Sequence, residues 1–177
     1  MKEGDYLDLY SFSFSGYQNF DPIAEHLEKL YEKTFGFDNY DYRIAVTEAV
    51  CNAARYSLQG LMEADIQIIV KISPVSISTS VLARTHPFDV LSYRKRLLSL
   101  LETDAATKDW GDYLGGEDAS RGIWYMLTGC DYVYYDFRGQ SVTLFAYLSE
   151  QGKQEPRPTQ IGLLLPRFYV KENGVIV

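Results

Sequence analysis

The sequence predicts an α+β fold: a two-layer sandwich in which helices cover one face of a mixed, mostly antiparallel sheet. Segments with strand and helix periods follow one another in the order β-α-α-β-β-α-loop-α-β-β. Short turns at 73–74, 138–140 and 173–174 join neighbouring strand segments, which favours antiparallel hairpins. The 177 residues are enough to bury a core, and 46% of them are hydrophobic, which excludes a disordered chain.

The N-terminal part is predicted as one strand and two helices. Large and polar residues mix over 7–14 in a way that indicates a first strand. Asp21 is expected to cap a helix whose first turn tolerates Pro22, and Gly36 is expected to stop it. A second helix, with a buried stripe of small and apolar residues, is predicted over 40–57.

The middle of the chain combines a hairpin with further helices. Alternating apolar residues over 66–72 and 75–81 predict two antiparallel strands. An amphipathic helix follows over 88–101. The polar, glycine-containing stretch 104–118 is predicted to be a long flexible loop, and a short helix over 120–128, capped by its serine, comes next.

Two hairpins are predicted at the end of the chain. The first joins strands over 131–137 and 141–148. The second joins 162–170 to 175–177 through Asn173-Gly174, a type I′ turn signal.

A polar stretch with two prolines lies between these hairpins and suggests a boundary. We expect a domain over 1–149 and a linker with a hairpin extension over 150–177. The exposed edge of that extension is expected to meet a protein partner or to form a homodimer.

Composition excludes several functional classes. The balance of 17 Lys+Arg against 24 Asp+Glu gives a net charge of −7, which argues against direct binding to nucleic acid or anionic membranes. Only two cysteines, Cys51 and Cys130, are present, which favours a reducing cytoplasm over a disulfide scaffold. We also expect no signal peptide and no membrane span, because the N-terminus has no apolar region and no apolar run reaches ~18 residues.

A polar pair on the second predicted helix is the first candidate site. Glu48 and Asn52 are four residues apart, so both side chains leave the same helical face, among small and apolar neighbours. A carboxylate beside an amide oxygen suits the orientation of a water and the binding of one Mg²⁺ completed by water and phosphate. The alternative is a solvated helix face that carries these two residues for no chemical purpose.

A glycine pair before the 120–128 helix is the second candidate. Gly115 and Gly116 would leave backbone amides free to face phosphate oxygens near a helix N-terminus. Glu117 and Asp118 would repel phosphate, and an ordinary flexible loop is the alternative.

Taken with the order of elements, these segments resemble the histidine-kinase-like ATPase superfamily, and most of all the bacterial anti-sigma factor serine kinases, over about residues 5–149. The family's N-box, Glu-Ala-x-x-Asn-Ala, is matched by residues 48–53, and its Gly-rich box ending Arg-Gly-Leu is similar to residues 121–123. The resemblance implies binding of ATP or ADP with Mg²⁺. It further implies Glu48 as catalytic base or water-orienting residue and Asn52 as the Mg²⁺ ligand. The cofactor-binding set that it implies is Asn52, Gly115, Gly116, Arg121 and Gly122.

The adenine box departs from the family pattern. Where the family has Asp-x-Gly-x-Gly-Phe-Asp, residues 83–89 have Ala-Arg-Thr-His-Pro-Phe-Asp. Ala83 therefore replaces the Asp that accepts from the adenine amino group, and Thr85 and Pro87 replace the two glycines. Loss of such a bond in a buried pocket costs about 1–3 kcal/mol.

Two functions follow from this combination. The first is a bacterial, cytoplasmic regulatory protein of anti-sigma factor type with weakened nucleotide binding, acting by protein-protein interaction on a sigma factor or an antagonist-like protein. The alternative is an active Mg-ATP-dependent serine-protein kinase that acts on an antagonist protein.

Overall fold

The strand segments of the sequence pair into a single sheet in the computed structural model, which describes residues 8–114, 121–149, 156–172 and 175–176. Within these residues seven strands lie in the order β1-β2-β3-β5-β4-β6-β7, and every neighbouring pair is antiparallel except β4 and β6. The strands are β1 (Asp8–Ser15), β2 (Asp65–Ile72), β3 (Ser76–Ala83), β4 (Tyr132–Asp136), β5 (Ser141–Tyr147), β6 (Phe168–Glu172) and β7 (Val175–Ile176).

Six α-helices occur in the described part of the chain, some of them followed by 3₁₀ turns. None of these helices is long and apolar enough to cross a membrane. The helices are α1 (Asp21–Phe35), α2 (Tyr40–Arg55), α3 (Val90–Leu98), α4 (Trp110–Leu114), α5 (Arg121–Gly129) and α6 (Ile161–Leu164).

The helices α1 and α2 lie on the same face of the sheet, above the central strand β3. The Tyr31 hydroxyl of α1 and the Tyr42 hydroxyl of α2 each lie 3.0 Å from the Thr79 hydroxyl of β3. Tyr42 also reaches the Leu144 carbonyl of β5, at 3.2 Å. On the same side of the sheet the helix α3 packs through Tyr93, whose ring meets that of Phe168 in β6 at 6.2 Å. The two-layer α+β architecture predicted from the sequence is thereby confirmed.

Close packing of α5 against α2 depends on small residues. A side chain at Gly129 would collide with the Asp41 carbonyl oxygen and lie 2.6 Å from the Ala45 methyl group. Ala45 and Ala49, both buried, continue this contact along α2. The two helices that carry the candidate site residues are thus held at a short, fixed separation.

The start of α1 differs from the prediction. The helix α1 begins at Asp21 itself, follows Phe20 and has no side-chain cap, so Asp21 is not the capping residue. The backbone of Phe20 is already helical, which leaves no position from which Asp21 could accept from the first turn. The stop at Gly36 is confirmed, because this residue takes the left-handed conformation with φ of 77°.

The predicted flexible loop 104–118 is wrong for the residues that the structure describes. Residues Asp104–Thr107 form a 3₁₀ turn and α4 follows. The Trp110 ring stacks on that of Trp124 at 6.4 Å and meets that of Tyr125 edge-on at 5.2 Å. These tertiary aromatic contacts order a segment too short and too polar to show a helical period of its own. Residues 115–118 lie outside the described residues.

The C-terminal segment also differs from its prediction. The strand expected over 162–170 is replaced by α6, a 3₁₀ turn and then β6, with Pro166 in the first turn of the 3₁₀ segment. The helix α6 and this turn place Ile161, Leu164 and Leu165 in the main core. The strand β6 pairs in parallel with β4, and β7 pairs with β6, whereas the Asn173-Gly174 turn lies outside the described residues.

Candidate functional site

A cavity of about 650 Å³ lies between α2, α5, the end of β3 and the β4–β5 turn. The predicted residues Glu48 and Asn52 of α2 line it, and so do Arg121 and Gly122 of α5. Gly115 and Gly116, the remaining members of the predicted set, lie outside the residues that the structure describes. The helix packing described above therefore brings two distant segments of sequence to one site.

The polar atoms of Glu48 and Asn52 are available to a ligand. Both side chains are half-buried in the cavity wall. Within the described chain, neither the carboxylate nor the amide makes a hydrogen bond or an ion pair. The Tyr17 hydroxyl is near enough to this region that Cys51 and Glu48, after burial, raise its pKa.

Gly122 gives this polar pair its space. A Cβ atom at position 122 would lie 2.9 Å from Asn52 Nδ2 and 3.2 Å from Glu48 Oε2. Every other residue type would therefore press on the pair from the first turn of α5. The glycine leaves the carboxylate and the amide accessible from the cavity.

The segment that replaces the adenine box is fixed by hydrogen bonds at both flanks. Ala83 ends β3, where its backbone amide donates to the Gln140 carbonyl at 3.0 Å, and it is not among the residues that line the cavity. The buried Thr85 hydroxyl donates to the Gly139 carbonyl at 3.2 Å. The His86 amide donates to the carbonyl of Tyr56, the residue that follows α2, at 2.9 Å. Thr85 and His86 thus belong to a rigid rim of the cavity.

The described part of the segment 104–118 does not close the cavity. No residue of 104–114 lines the cavity. Trp110 anchors this segment to α5 through Trp124, as described above. The described part of this segment is therefore a packed element beside the site.

The ionic side chains that line the cavity carry more positive than negative charge, whereas the whole protein is acidic. The ionic groups among its described lining residues are Glu48, Arg55 and Arg121, together with the titratable His86. Two arginines face one carboxylate in a chain whose net charge is −7. Local positive charge in a cleft attracts an anion, so the site favours a negatively charged ligand.

Sequence reasoning missed the tyrosines of the cavity. Tyr93 of α3, Tyr125 of α5 and Tyr135 of β4 all line it. Alternation could have found Tyr135, because it shares its face with the buried Val133. No local pattern marks Tyr93, whose place depends on how α3 packs on β6.

The other tyrosines of β4 pack outside the cavity. Tyr132 and Tyr134 lie on the opposite face of the sheet, where their rings meet that of Tyr169 at 5.8 and 5.5 Å. The Lys171 ammonium lies 4.0 Å from the centre of the Tyr134 ring. This group contributes to sheet packing and is separate from the cavity.

The cavity combines a polar, charged region with apolar walls. One end of the cavity carries Glu48, Asn52 and Arg121, and buried apolar side chains such as Val81 and Met126 form its walls. No group of three or more His, Cys, Asp or Glu side chains able to hold a metal ion by themselves occurs in the described residues.

Comparison with models of known protein families and with curated proteins finds no match to this chain.

Proposed function

We propose that the chain is a cytoplasmic regulatory protein of the bacterial anti-sigma factor type, built on the histidine-kinase-like ATPase fold, whose nucleotide binding is weakened. The observation that carries this proposal is that Glu48, Asn52, Arg121 and Gly122 line one cavity. Its volume of about 650 Å³ lies within the ~300–1,000 Å³ of small-ligand pockets. The protein partner, a sigma factor or an antagonist-like protein, follows from the resemblance.

The residues present fit a Mg²⁺ ion that is held mainly by phosphate and water. Asn52 would supply the protein ligand through its amide oxygen, since its side chain has no hydrogen bond within the described residues. Gly122 leaves the space beside it open. When bound, the ion neutralises phosphate charge, and Mg²⁺ commonly takes only one or two ligands from the protein.

Reduced affinity follows from the segment 83–88. Ala83 offers no acceptor to an adenine amino group, and its position does not line the cavity. The Thr85 hydroxyl donates to the Gly139 carbonyl, and the side chain fills space that a glycine would leave open. The loss of one buried hydrogen bond corresponds to about 5- to 150-fold in affinity.

The alternative function is an active serine-protein kinase, and the unpaired Glu48 carboxylate favours it. A general base must be free to accept a proton, and Glu48 has no hydrogen-bonding or ionic partner within the described residues. In this function Glu48 would take the proton of a serine hydroxyl as its oxygen attacks the γ-phosphorus of ATP, and the bond from that phosphorus to the bridging oxygen would break, so that ADP leaves. Arg121 would stabilise negative charge on the phosphates.

Thermal denaturation with Mg-ADP tests the proposal. A ligand at 100 times its dissociation constant stabilises the native state by about 2.7 kcal/mol, or about 5–11 °C at this chain length. We expect a much smaller but measurable shift at millimolar Mg-ADP. Asn52→Ala should abolish the part that depends on Mg²⁺, whereas Thr47→Ala, an exposed change on the same helix, should leave the shift unaltered.

Three other outcomes would contradict parts of the proposal. A shift of about 5–11 °C would favour the kinase, and loss of ADP formation from Mg-ATP in Glu48→Gln would then support it. Equal binding with and without Mg²⁺ would remove Asn52 as a metal ligand. No shift under any condition would reject nucleotide binding and leave a protein-binding module.

A further inference from the structure

Three tyrosine side chains meet at the end of the cavity that lies away from Glu48. Tyr56 follows the last turn of α2, Tyr93 lies on α3 and Tyr135 lies on β4, and all three line the cavity. Burial raises the pKa of Tyr135, and the proximity of Tyr93 and Tyr56 raises it further. Three elements therefore contribute tyrosine side chains to the same part of the cavity, with that of Tyr56 exposed at its mouth.

These hydroxyl groups are largely free of protein partners. In the described part of the chain, the hydroxyls of Tyr56 and Tyr93 make no hydrogen bond. The Tyr135 hydroxyl has the Met126 sulfur as its partner, at 3.9 Å, and a thioether is a weak acceptor. Each hydroxyl is thus able to donate to a ligand or to accept from it.

The tyrosine end and the charged end are separated by about the length of an extended small ligand. Glu48 and Tyr56 are eight residues apart along α2, which corresponds to about 12 Å. Arg121 and Asn52 mark the charged end, and the buried Val81 and Met126 contribute to the wall. A ligand that fills this space is anionic at one end, apolar in its middle and polar but uncharged at its far edge.

We propose that Tyr56, Tyr93 and Tyr135 contact the base edge of a purine nucleoside phosphate and do not select between an amino and an oxo group at its position 6. This inference rests on the proposed function, because it places the phosphates at Asn52 and Arg121. A hydroxyl rotates to donate to an oxo group or to accept from an amino group. A carboxylate would select the amino group, and none lines this end of the cavity among the described residues.

Calorimetric titration with Mg-ADP and Mg-GDP tests this specificity. We expect dissociation constants that agree within about threefold, well under the tenfold that corresponds to about 1.4 kcal/mol. Tyr93→Phe and Tyr56→Phe remove only a hydroxyl and should weaken both nucleotides by about 3- to 10-fold. Tyr113→Phe, on an exposed ring of α4 outside the cavity, is the matched control and should leave both constants unchanged.

Tyr135→Phe is a third variant to test, because the hydroxyl of Tyr135 is the most enclosed of the three. Its melting temperature without ligand is measured first, and Tyr93→Phe replaces it if the variant does not fold. A preference for Mg-ADP of more than about 30-fold, or unchanged binding in all the tyrosine variants, would overturn the inference and leave the proposed function intact. Failure of both nucleotides to bind the unmodified protein would overturn the inference together with the nucleotide binding in the proposed function, so the two failures give different results.

Discussion

Gly122 on α5 approaches Asn52 on α2 so closely that a methyl group in its place would lie 2.9 Å from the amide nitrogen. Contacts that short are repulsive, so one of the two side chains would have to move. The Glu48 carboxylate on the other side, at 3.2 Å, restricts where Asn52 can go. The position of α5 thereby controls whether this polar pair is accessible.

Gly122→Ala should weaken ligand binding and leave the stability of the fold almost unchanged. Alanine favours a helix over glycine by up to ~1 kcal/mol, and this gain offsets the strain of displacing Asn52. We expect a melting temperature within a few degrees of the unmodified protein and at least about tenfold weaker binding of Mg-ADP. Gly111→Ala, in α4 and outside the cavity, is the control and should bind normally. Unchanged binding in Gly122→Ala would show that ligand does not enter between the two helices.

Gly129→Ala should destabilise the fold. Its methyl group would collide with the Asp41 carbonyl, a backbone atom of α2 that cannot move independently, and with Ala45. Overpacking of this kind costs about 1–3 kcal/mol, which urea denaturation would measure as a lower midpoint. Adding Ala45→Gly should restore little of the loss, since the backbone collision remains. An unchanged urea midpoint in Gly129→Ala would mean that α5 is free to shift away from α2.

Thr79→Val should leave the Tyr31 hydroxyl without its hydrogen-bond partner, whereas Tyr42 keeps its bond to the Leu144 carbonyl. The valine keeps the shape of threonine but removes the oxygen that Tyr31 and Tyr42 share. We expect a loss of about 1–3 kcal/mol in the free energy of unfolding, because a buried donor without a partner bears its full desolvation penalty. Combining Thr79→Val with Tyr31→Phe should recover part of that loss. A double variant less stable than Thr79→Val alone would contradict this coupling.

Alkaline pH should unfold the protein partly through Cys130. Burial raises the pKa of its thiol from 9.0 to about 12, against a smaller opposing effect of Arg157. Above pH 9 the unfolded chain loses this proton while the folded chain keeps it, so stability falls as pH rises toward 12. The raised pKa values of Tyr31 and Tyr42 add to the fall above pH 10.

The change in the free energy of unfolding per pH unit measures the contribution of Cys130. Cys130→Ala should show a shallower fall between pH 9 and 10 than the unmodified protein, whatever its stability at neutral pH. Val133→Ala, which truncates another buried side chain without removing a titrating group, is the control and should keep the original slope. Equal slopes in the two variants would show that Cys130 is not the titrating group.

Sequence reasoning was most accurate where periodicity is strong. The pairs β2–β3 and β4–β5, and the helices α1 and α2, occur close to where alternation and helical spacing predict them. Burial of an apolar face determines such elements locally, so the pattern is visible in the chain itself. Spacing predicted that Glu48 and Asn52 share a helical face, and the family resemblance implied that Gly122 lies beside them. The packing of α5 against α2 supplies the physical basis of this arrangement.

The errors lie where long-range contacts decide the structure. Trp110 orders the segment 104–114 by stacking on Trp124, which no local pattern shows. The strand β6 begins only at Phe168 because Pro166 lies in a 3₁₀ turn, and its parallel partner β4 is distant in sequence. Tyr93 and Tyr56 reach one cavity only after three elements have packed.

The order of strands also has a consequence for the rate of folding. The hydroxyls of Ser80 and Thr143 lie 2.8 Å apart across the two central strands, although 63 positions separate them in the chain. Ser15 and Asp65, in the pair β1–β2, are separated by 50 positions. Such distant pairings must close large loops before any contact stabilises them, which places folding in the millisecond-to-second range of topologically complex domains. During that interval the edges of β3 and β5 are exposed, so refolding should be sensitive to protein concentration through transient association.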